Sequence, residues 1–338
     1  MTKILLIGGG GYVGAAMANY FLDKNDEVII VDKFVYGHQI TNQGLLTHQK
    51  VHYHYLDYCQ AADLNDICAI GHDADAIIML AGLVGDPITK KYPELSGVVN
   101  DTGMRHMVDQ FSAEGYGDKQ IIFVSTCSNY GLMPEGQLAD EESALSPLSL
   151  YAKAKVEMEK IVIDKTNEGL LNGTVLRFAT AFGLSNRMRF DLTVNQFTRE
   201  IVLGNPLLVF DADTWRPYCH VNDFAHLAEV IINADNAKTR GEVFNAGGDV
   251  NNFTKRGLIE LLGTKLDTSN VSYKENGGDP RNYQVSFNKL KNILNFEPKF
   301  HVEDGMDEII DAIGKGFFKE TVDGNNLFGN YVLNERHD

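Results

Sequence analysis

Lys3-Ile4-Leu5-Leu6-Ile7-Gly8-Gly9-Gly10-Gly11-Tyr12-Val13-Gly14 decides the architecture. Lys3 to Ile7 reads as a short buried strand, and Gly8, Gly11 and Gly14 follow it at G-x-x-G-x-x-G spacing, directly before a segment of helical length running from Tyr12 to Lys24. Glycines in that context serve a tight turn, the close approach of backbone N–H groups to a pyrophosphate, and close packing of helix on strand. The partial positive charge at the helix N-terminus favours the same anion. Tyr12 and Val13 sit between the glycines and share the cradle. The stretch therefore opens a dinucleotide-binding βαβ unit.

Further along, short apolar runs alternate with longer amphipathic ones, the rhythm of a parallel sheet covered on both faces. Strands are expected at Glu27 to Asp32, His52 to Tyr55, Ala76 to Leu80, Gln120 to Ser125, Thr174 to Phe178 and Val243 to Ala246, with a helix at Tyr151 to Asn167. The fold class is α/β, a doubly wound Rossmann-type sheet with a smaller, mostly C-terminal α/β substrate lobe. Residues 1–180, with about 215–246, form the first domain; about 181–214 and 247–338 form the lobe. Phe182 to Arg216 reads as loops and short helices over a cleft, and Thr254 to Gly263 and Val302 to Gly314 read as helices of the lobe. The tail beyond Phe318 carries no assignable chemistry.

Asp32 ends the second strand at the distance from the glycine loop where a carboxylate accepts hydrogen bonds from the adenosine ribose and repels a 2′-phosphate, so the cofactor is NAD rather than NADP. Lys33 beside it argues the other way. Asp57, with Tyr58, either reaches the adenine end or is a solvated strand-end carboxylate, and Leu80-Ala81-Gly82 is small enough for backbone to lie against the cofactor. Tyr151 and Lys155 stand four apart on one helical face. An ammonium beside the phenol would lower its pKa and let it act as a general base while a carbon-bound hydrogen leaves as hydride. Thr126, at the C-terminal edge of its strand where ligands of such sheets bind, could hydrogen-bond the reacting oxygen.

Composition excludes several classes. A net charge of −16 and no basic stripe argue against nucleic acid. No apolar run approaches a bilayer's thickness and the N-terminus passes straight into a strand, so no membrane association is expected and the location is cytoplasmic. Cys59, Cys68, Cys127 and Cys219 are too dispersed for a disulfide framework or a zinc site; no metal is expected.

With these residues in hand, the chain resembles the extended short-chain dehydrogenase/reductase family, specifically its nucleotide-sugar epimerases and dehydratases. The likeness rests on Gly8-x-x-Gly11-x-x-Gly14, Asp32, Leu80-Ala81-Gly82, Asn100, Ser125-Thr126, Tyr130-Gly131, Tyr151-x-x-x-Lys155, Leu176-Arg177-Phe178, Phe182-Gly183 and the run from Arg216 to Asp223. It implies that Lys155 also holds the nicotinamide ribose, that Asn100 supports the active-site helix, and that Arg216 grips the substrate's diphosphate. It further implies substrate contacts from Asn195, from Arg281 after Gly278-Asp279-Pro280, and from Val84, Ser128, Thr180 and Arg187. Cys127 either fills a core position or lines the sugar site.

The runs Leu83 to Pro87 and Arg187 to Leu192 are similar to a subgroup that includes GDP-heptose 4-dehydrogenases, which points to oxidation at C4 of the sugar. The 4,6-dehydratases carry Asp-Glu after the threonine where this chain has Cys127-Ser128, which disfavours dehydration. Relatives also commonly place Asn at Thr180 and Arg at Asn276, leaving the nucleobase open. A transient 4-keto intermediate returned by the same enzyme makes an epimerase; release or uptake of the ketone makes a 4-dehydrogenase or keto-reductase; a non-catalytic NAD-binding protein is the reading from another class. The resemblance also implies a homodimer.

Overall fold

A computed structural model describes residues 1–134, 136–275, 281–320 and 324–333. Its centre is a seven-stranded sheet, in the spatial order Val243–Ala246, Asn172–Phe178, Gln120–Thr126, Ala76–Met79, Lys3–Ile7, Glu27–Val31, Val51–His54. Every pairing in it is parallel. All seven strands coincide with the expected ones to within two residues at either end.

Period-two alternation sorts the apolar residues to opposite faces. Ile4 and Leu6 join one core with Met17 and Phe21 of the helix Tyr12–Asp23 and with Phe224, Leu227 and Ile231 of the helix Val221–Ile232. Leu5 and Ile7 join the other, with Ile67, Met107 and Phe111 and with Met158 and Val162 of the helix Leu150–Asn167. Burial on both faces explains why the strands read as continuous apolar runs. Strand order reverses between Lys3–Ile7 and Ala76–Met79, and at such a switch point the strand ends diverge to leave a crevice.

The smaller lobe has a separate core around Phe182, Phe197, Tyr218, Leu258, Ile259 and Met306. Its three-stranded sheet runs Asn252–Thr254, Trp215–His220, Thr180–Phe182. Because Trp215–His220 pairs with lobe strands and Tyr218 enters the lobe core, we place the return to the first domain at Val221 rather than near residue 215. The helices Lys255–Gly263 and Val302–Gly314 agree with the sequence reading; Thr254 caps the first, its hydroxyl accepting from the Gly257 N–H at 3.0 Å. Between Phe182 and Arg216 the lobe is more regular than expected. It holds the ten-residue helix Thr193–Val202 and the strand Leu207–Phe210. Val194, Phe197 and Ile201 give that helix a buried stripe at i, i+3 and i+7, which the polar residues between them obscured.

Two adjacent strands of the sheet, Gln120–Thr126 and Asn172–Phe178, are locked to the helix Leu150–Asn167 by Glu159, which is 4% exposed. Its carboxylate accepts from Arg177 Nη2 at 2.8 Å, from Asn129 Nδ2 at 2.7 Å and from the Ser125 hydroxyl. Arg177 also donates to the Tyr130 hydroxyl at 2.9 Å, which donates to Asn245 Oδ1 at 2.6 Å. Removing one partner of a buried ion pair strands the other charge, so Glu159→Ala should cost about 3–5 kcal/mol in urea unfolding at pH 7. A loss below ~1 kcal/mol would show that the network is not what fixes this helix.

Candidate active site

The crevice is lined from both domains, and it gathers 21 of the residues singled out from the sequence. Gly8 holds φ +85°, and a Cβ there would stand 2.6 Å from the Ala81 backbone, while a Cβ at Gly14 would stand 2.5 Å from Gly9 Cα. These two glycines are demanded by the protein's own packing. Gly11 differs: it precedes the helix Tyr12–Asp23, lines the cleft, and its nearest neighbour is the Gly8 carbonyl at 3.4 Å, so its smallness keeps the helix N-terminus open to a ligand.

Asp32 is held by two backbone donors, Gly10 N–H at 2.9 Å and Phe34 N–H at 2.6 Å. Burial nevertheless raises its pKa above the ordinary carboxylate value. Lys33 binds Asp57 at 2.7 Å, so the lysine that argued for a 2′-phosphate is committed to a carboxylate. Asp57 also accepts from the Cys59 N–H; burial pushes its pKa up, but Lys33 and Cys59 together bring it below the usual range. Tyr58, Leu80, Ala81 and Gly82 complete this wall, with the Leu80 and Ala81 N–H groups both 2.8 Å from the Ile7 carbonyl.

Tyr151 and Lys155 enter from the first turns of Leu150–Asn167, whose N-cap Ser149 accepts from the Ala152 N–H. Both are buried. Lys155 Nζ donates to the Val124 carbonyl at 2.7 Å, 4.6 Å from the centre of the Phe123 ring and 5.9 Å from that of Tyr151. Burial pushes Lys155 down to about 8, against the opposing charge of Glu159. It pushes the Tyr151 phenol above its ordinary value, with Arg189 acting to lower it and Asp86 to raise it. The Lys155 ammonium, expected to acidify the phenol, donates to a backbone carbonyl, and the cation that acts to lower the pKa of Tyr151 is Arg189. Thr126 Oγ1 accepts from the Ser128 N–H at 3.1 Å, which leaves its hydroxyl proton for a ligand oxygen.

On the lobe side, Arg216 lies 5.3 Å from the Tyr283 ring centre and donates to the Trp215 and Arg281 carbonyls. Arg281 reaches Ser128 Oγ at 3.4 Å and Asp86 at 3.5 Å. Val84 and Thr180 line the space between. Asn276 and Gly278-Asp279-Pro280 lie outside the described residues.

Three sequence candidates are not in the cleft wall. Cys127 is buried, its thiol 3.0 Å from the Arg177 carbonyl, so it takes the core position. Asn195 spends its amide on the Gly183 N–H, the Tyr12 hydroxyl and the Arg189 carbonyl, fixing the lobe to the glycine-loop helix. Asn100 binds both backbone groups of Leu83 and so shapes the loop after Gly82. Conversely, Tyr36, Asp86, Asp191, Tyr283, Asn330 and Tyr331 line the cleft without having been assigned to it, as does Arg189, which the sequence offered only as one of four arginines for a positive pocket. Arg189 is paired with Asp191 at 2.6 Å.

A model of the NAD dependent epimerase/dehydratase family matches residues 4–247. The chain belongs to that family. NAD is accordingly its cofactor, and the glycine cradle and the backbone-oriented Asp32 fit it. A UDP-glucose 4-epimerase of Streptococcus mutans is 24% identical over 91% of this chain and 94% of its own length. A UDP-glucuronate 4-epimerase of Thermodesulfobacterium geofontis is 23% identical over 90% and 94%. Among solved structures, the Bacillus cereus UDP-glucuronic acid 4-epimerase with UDP-glucuronic acid and NAD matches with TM-score 0.79 and 21% identity, covering 93% of this chain and 99% of that one. The Bacillus anthracis dTDP-glucose 4,6-dehydratase with NAD matches with TM-score 0.78 and 22% identity, covering 94% and 97%.

The depressed pKa of Lys155 sets a stability signature. Between about pH 8 and 10.5 the unfolded chain binds a proton at this lysine that the folded chain does not, so folding stability rises with pH across that window. Relative to Lys155→Met, the wild-type apoprotein should gain on the order of 2 kcal/mol from pH 7 to 9.5 in urea titrations. Parallel pH profiles for the two proteins would remove the burial argument.

Proposed function

We propose that this protein is an NAD-dependent nucleotide-sugar 4-epimerase acting through a transient 4-keto sugar. The observation that carries the reading is the convergence of Thr126, Tyr151 and Lys155 with Arg216 and Arg281 on one cleft. The arginines suit a diphosphate, and the space between the walls suits the sugar. NAD, when bound, supplies the hydride acceptor and donor.

Tyr151 takes the proton from the C4 hydroxyl on oxidation and returns it on reduction, and Thr126 donates to the same oxygen. Arg189 acts against burial to favour the phenolate form on which the forward step depends. Elimination of water needs an acid beside the threonine. Here the next residue is the buried Cys127, and Ser128 supplies only a hydroxyl, which supports epimerisation over 4,6-dehydration.

Tyr151→Phe should lower epimerisation by ~10²–10⁴-fold with NAD content unchanged. Arg216→Ala should raise KM for a nucleotide-diphosphate sugar about 10- to 100-fold, the worth of a charge-assisted hydrogen bond, with a smaller change in kcat. NMR of products from UDP-, GDP-, dTDP- and CDP-sugars identifies the substrate. An inverted C4 centre without net NADH supports the reading, whereas a ketone with matching NADH replaces it by a 4-dehydrogenase.

The reading includes a homodimer through helices flanking the active-site helix, following the resemblance. Light scattering that gives a monomer at working concentration would overturn that element. It also includes a cytoplasmic location, supported by four free thiols. No helix among the described residues is long and apolar enough to cross a membrane.

A further inference from the structure

Residues 324–333, beyond the span matched by the family, lie across the mouth of the cleft and are tied to both domains. On the lobe side the Phe328 carbonyl accepts from the Phe190 N–H at 2.8 Å, and its ring packs edge-on to Phe318. The Asn330 N–H donates to Asp191 at 3.3 Å. On the other side Asn330 Nδ2 reaches the Val84 carbonyl at 3.4 Å, Lys91 Nζ reaches the Tyr331 carbonyl at 3.4 Å, and Leu333 is buried against Tyr36, Leu83 and Ile88.

Arg187 stands at the centre of this strap. It is 1% exposed and donates through Nη2 to the carbonyls of Gly329 at 2.7 Å and Asn326 at 3.2 Å. Its guanidinium lies 5.3 Å from the centre of the Tyr36 ring, four residues beyond Asp32. These neighbours belong to the adenosine half of the cofactor cradle rather than to the sugar half, where the sequence had placed Arg187.

Several cleft-lining groups have buried atoms without a hydrogen-bond partner, namely Arg187 Nε, Asn330 Oδ1, the Tyr36 hydroxyl and Asp86 Oδ1. An unsatisfied buried polar atom is costly, so native proteins rarely leave one without a purpose. Several of them, donors and acceptors together, along one cleft mark a site shaped for a polar ligand. A buried guanidinium beside the ribose carboxylate fits an anionic nucleotide.

We propose that residues 324–333 and Arg187 form a clasp over the dinucleotide, in which Arg187 and Asn330 contact its phosphates and ribose, and that the strap must lift for NAD to leave. The inference rests on the NAD-dependent reading and extends it: the cofactor stays resident through each oxidation and reduction, as an epimerase requires.

The test uses the full chain with three substitutions: Arg187→Met, Asn330→Ala and Leu333→Ala, the last loosening the strap's end without touching the nucleotide. Bound NAD is quantified after gel filtration, and its dissociation is followed by chase with excess etheno-NAD fluorescence. Hydrogen exchange of the amides of residues 324–333 is measured with and without NAD.

The clasp predicts at least tenfold faster NAD release in Arg187→Met, about fivefold in the other two, and at least tenfold slower strap exchange when NAD is present. Release rates within twofold of wild type in all three folded variants, or strap exchange indifferent to NAD, overturns it. If a variant fails to fold, strap exchange in the wild type alone still decides. Tight NAD binding that ignores the strap sinks only the clasp, whereas a wild-type chain that binds no NAD sinks the epimerase reading with it.

Discussion

The active site depends first on a buried carboxylate that lies outside the cleft lining. Glu159 joins the helix bearing Tyr151 and Lys155 to Ser125, Asn129 and Arg177, which belong to the ends of two adjacent strands. A helix packed on a sheet by apolar contacts alone can slide, because dispersion and hydrophobic burial are weakly directional. Several charge-assisted bonds at Glu159 remove that freedom. They fix the helix so that Tyr151, two turns before Glu159, stands at the mouth of the cleft and Lys155, one turn before it, reaches the Val124 carbonyl beneath.

The same arrangement sets the electrostatics. Burial disfavours charge on both members of the Tyr151 and Lys155 pair, pushing the lysine to about 8 and the phenol upward. Glu159 partly restores the ammonium, and Arg189 partly restores the phenolate. The phenol is therefore held neutral while the lysine keeps most of its charge at neutral pH, and neither group has to be desolvated when a ligand arrives. Asp191 holds Arg189 in place through two hydrogen bonds, so the cation facing the phenol comes from the lobe rather than from the catalytic helix.

What was legible in the sequence follows from periodicity. Six of the seven central strands are largely buried, and their apolar runs are bounded by polar or glycine punctuation, so local pattern located them; the edge strand Val51–His54 is only partly buried. Glycine spacing located the cradle because backbone conformation and close packing leave few other residues possible at Gly8 and Gly14. Tyr151, Lys155 and Thr126 were legible because two lie one turn apart and the third ends a strand. The helix Thr193–Val202 was hidden by the polar residues flanking its narrow apolar stripe. Cys127 and Asn195 sit one residue and one helical turn from cleft-facing positions, and only tertiary structure says which way each points. Asn330 and Tyr331 carried no signal, since a tail's partners lie more than a hundred residues away.

A chain of net charge −16 binding a dinucleotide and a nucleotide-diphosphate sugar would repel both unless its cations were concentrated. Arg187, Arg189, Arg216 and Arg281 all face one cleft, and each is oriented by a backbone carbonyl or a carboxylate. Such tethering matters more than number. A surface arginine gives up side-chain entropy when it closes on a phosphate, while one already held by its neighbours does not, so more of its attraction survives as binding. The acidic exterior then works with the basic cleft: the arginines are spread along it, Arg187 towards the cofactor's adenosine end and Arg216 and Arg281 towards the lobe.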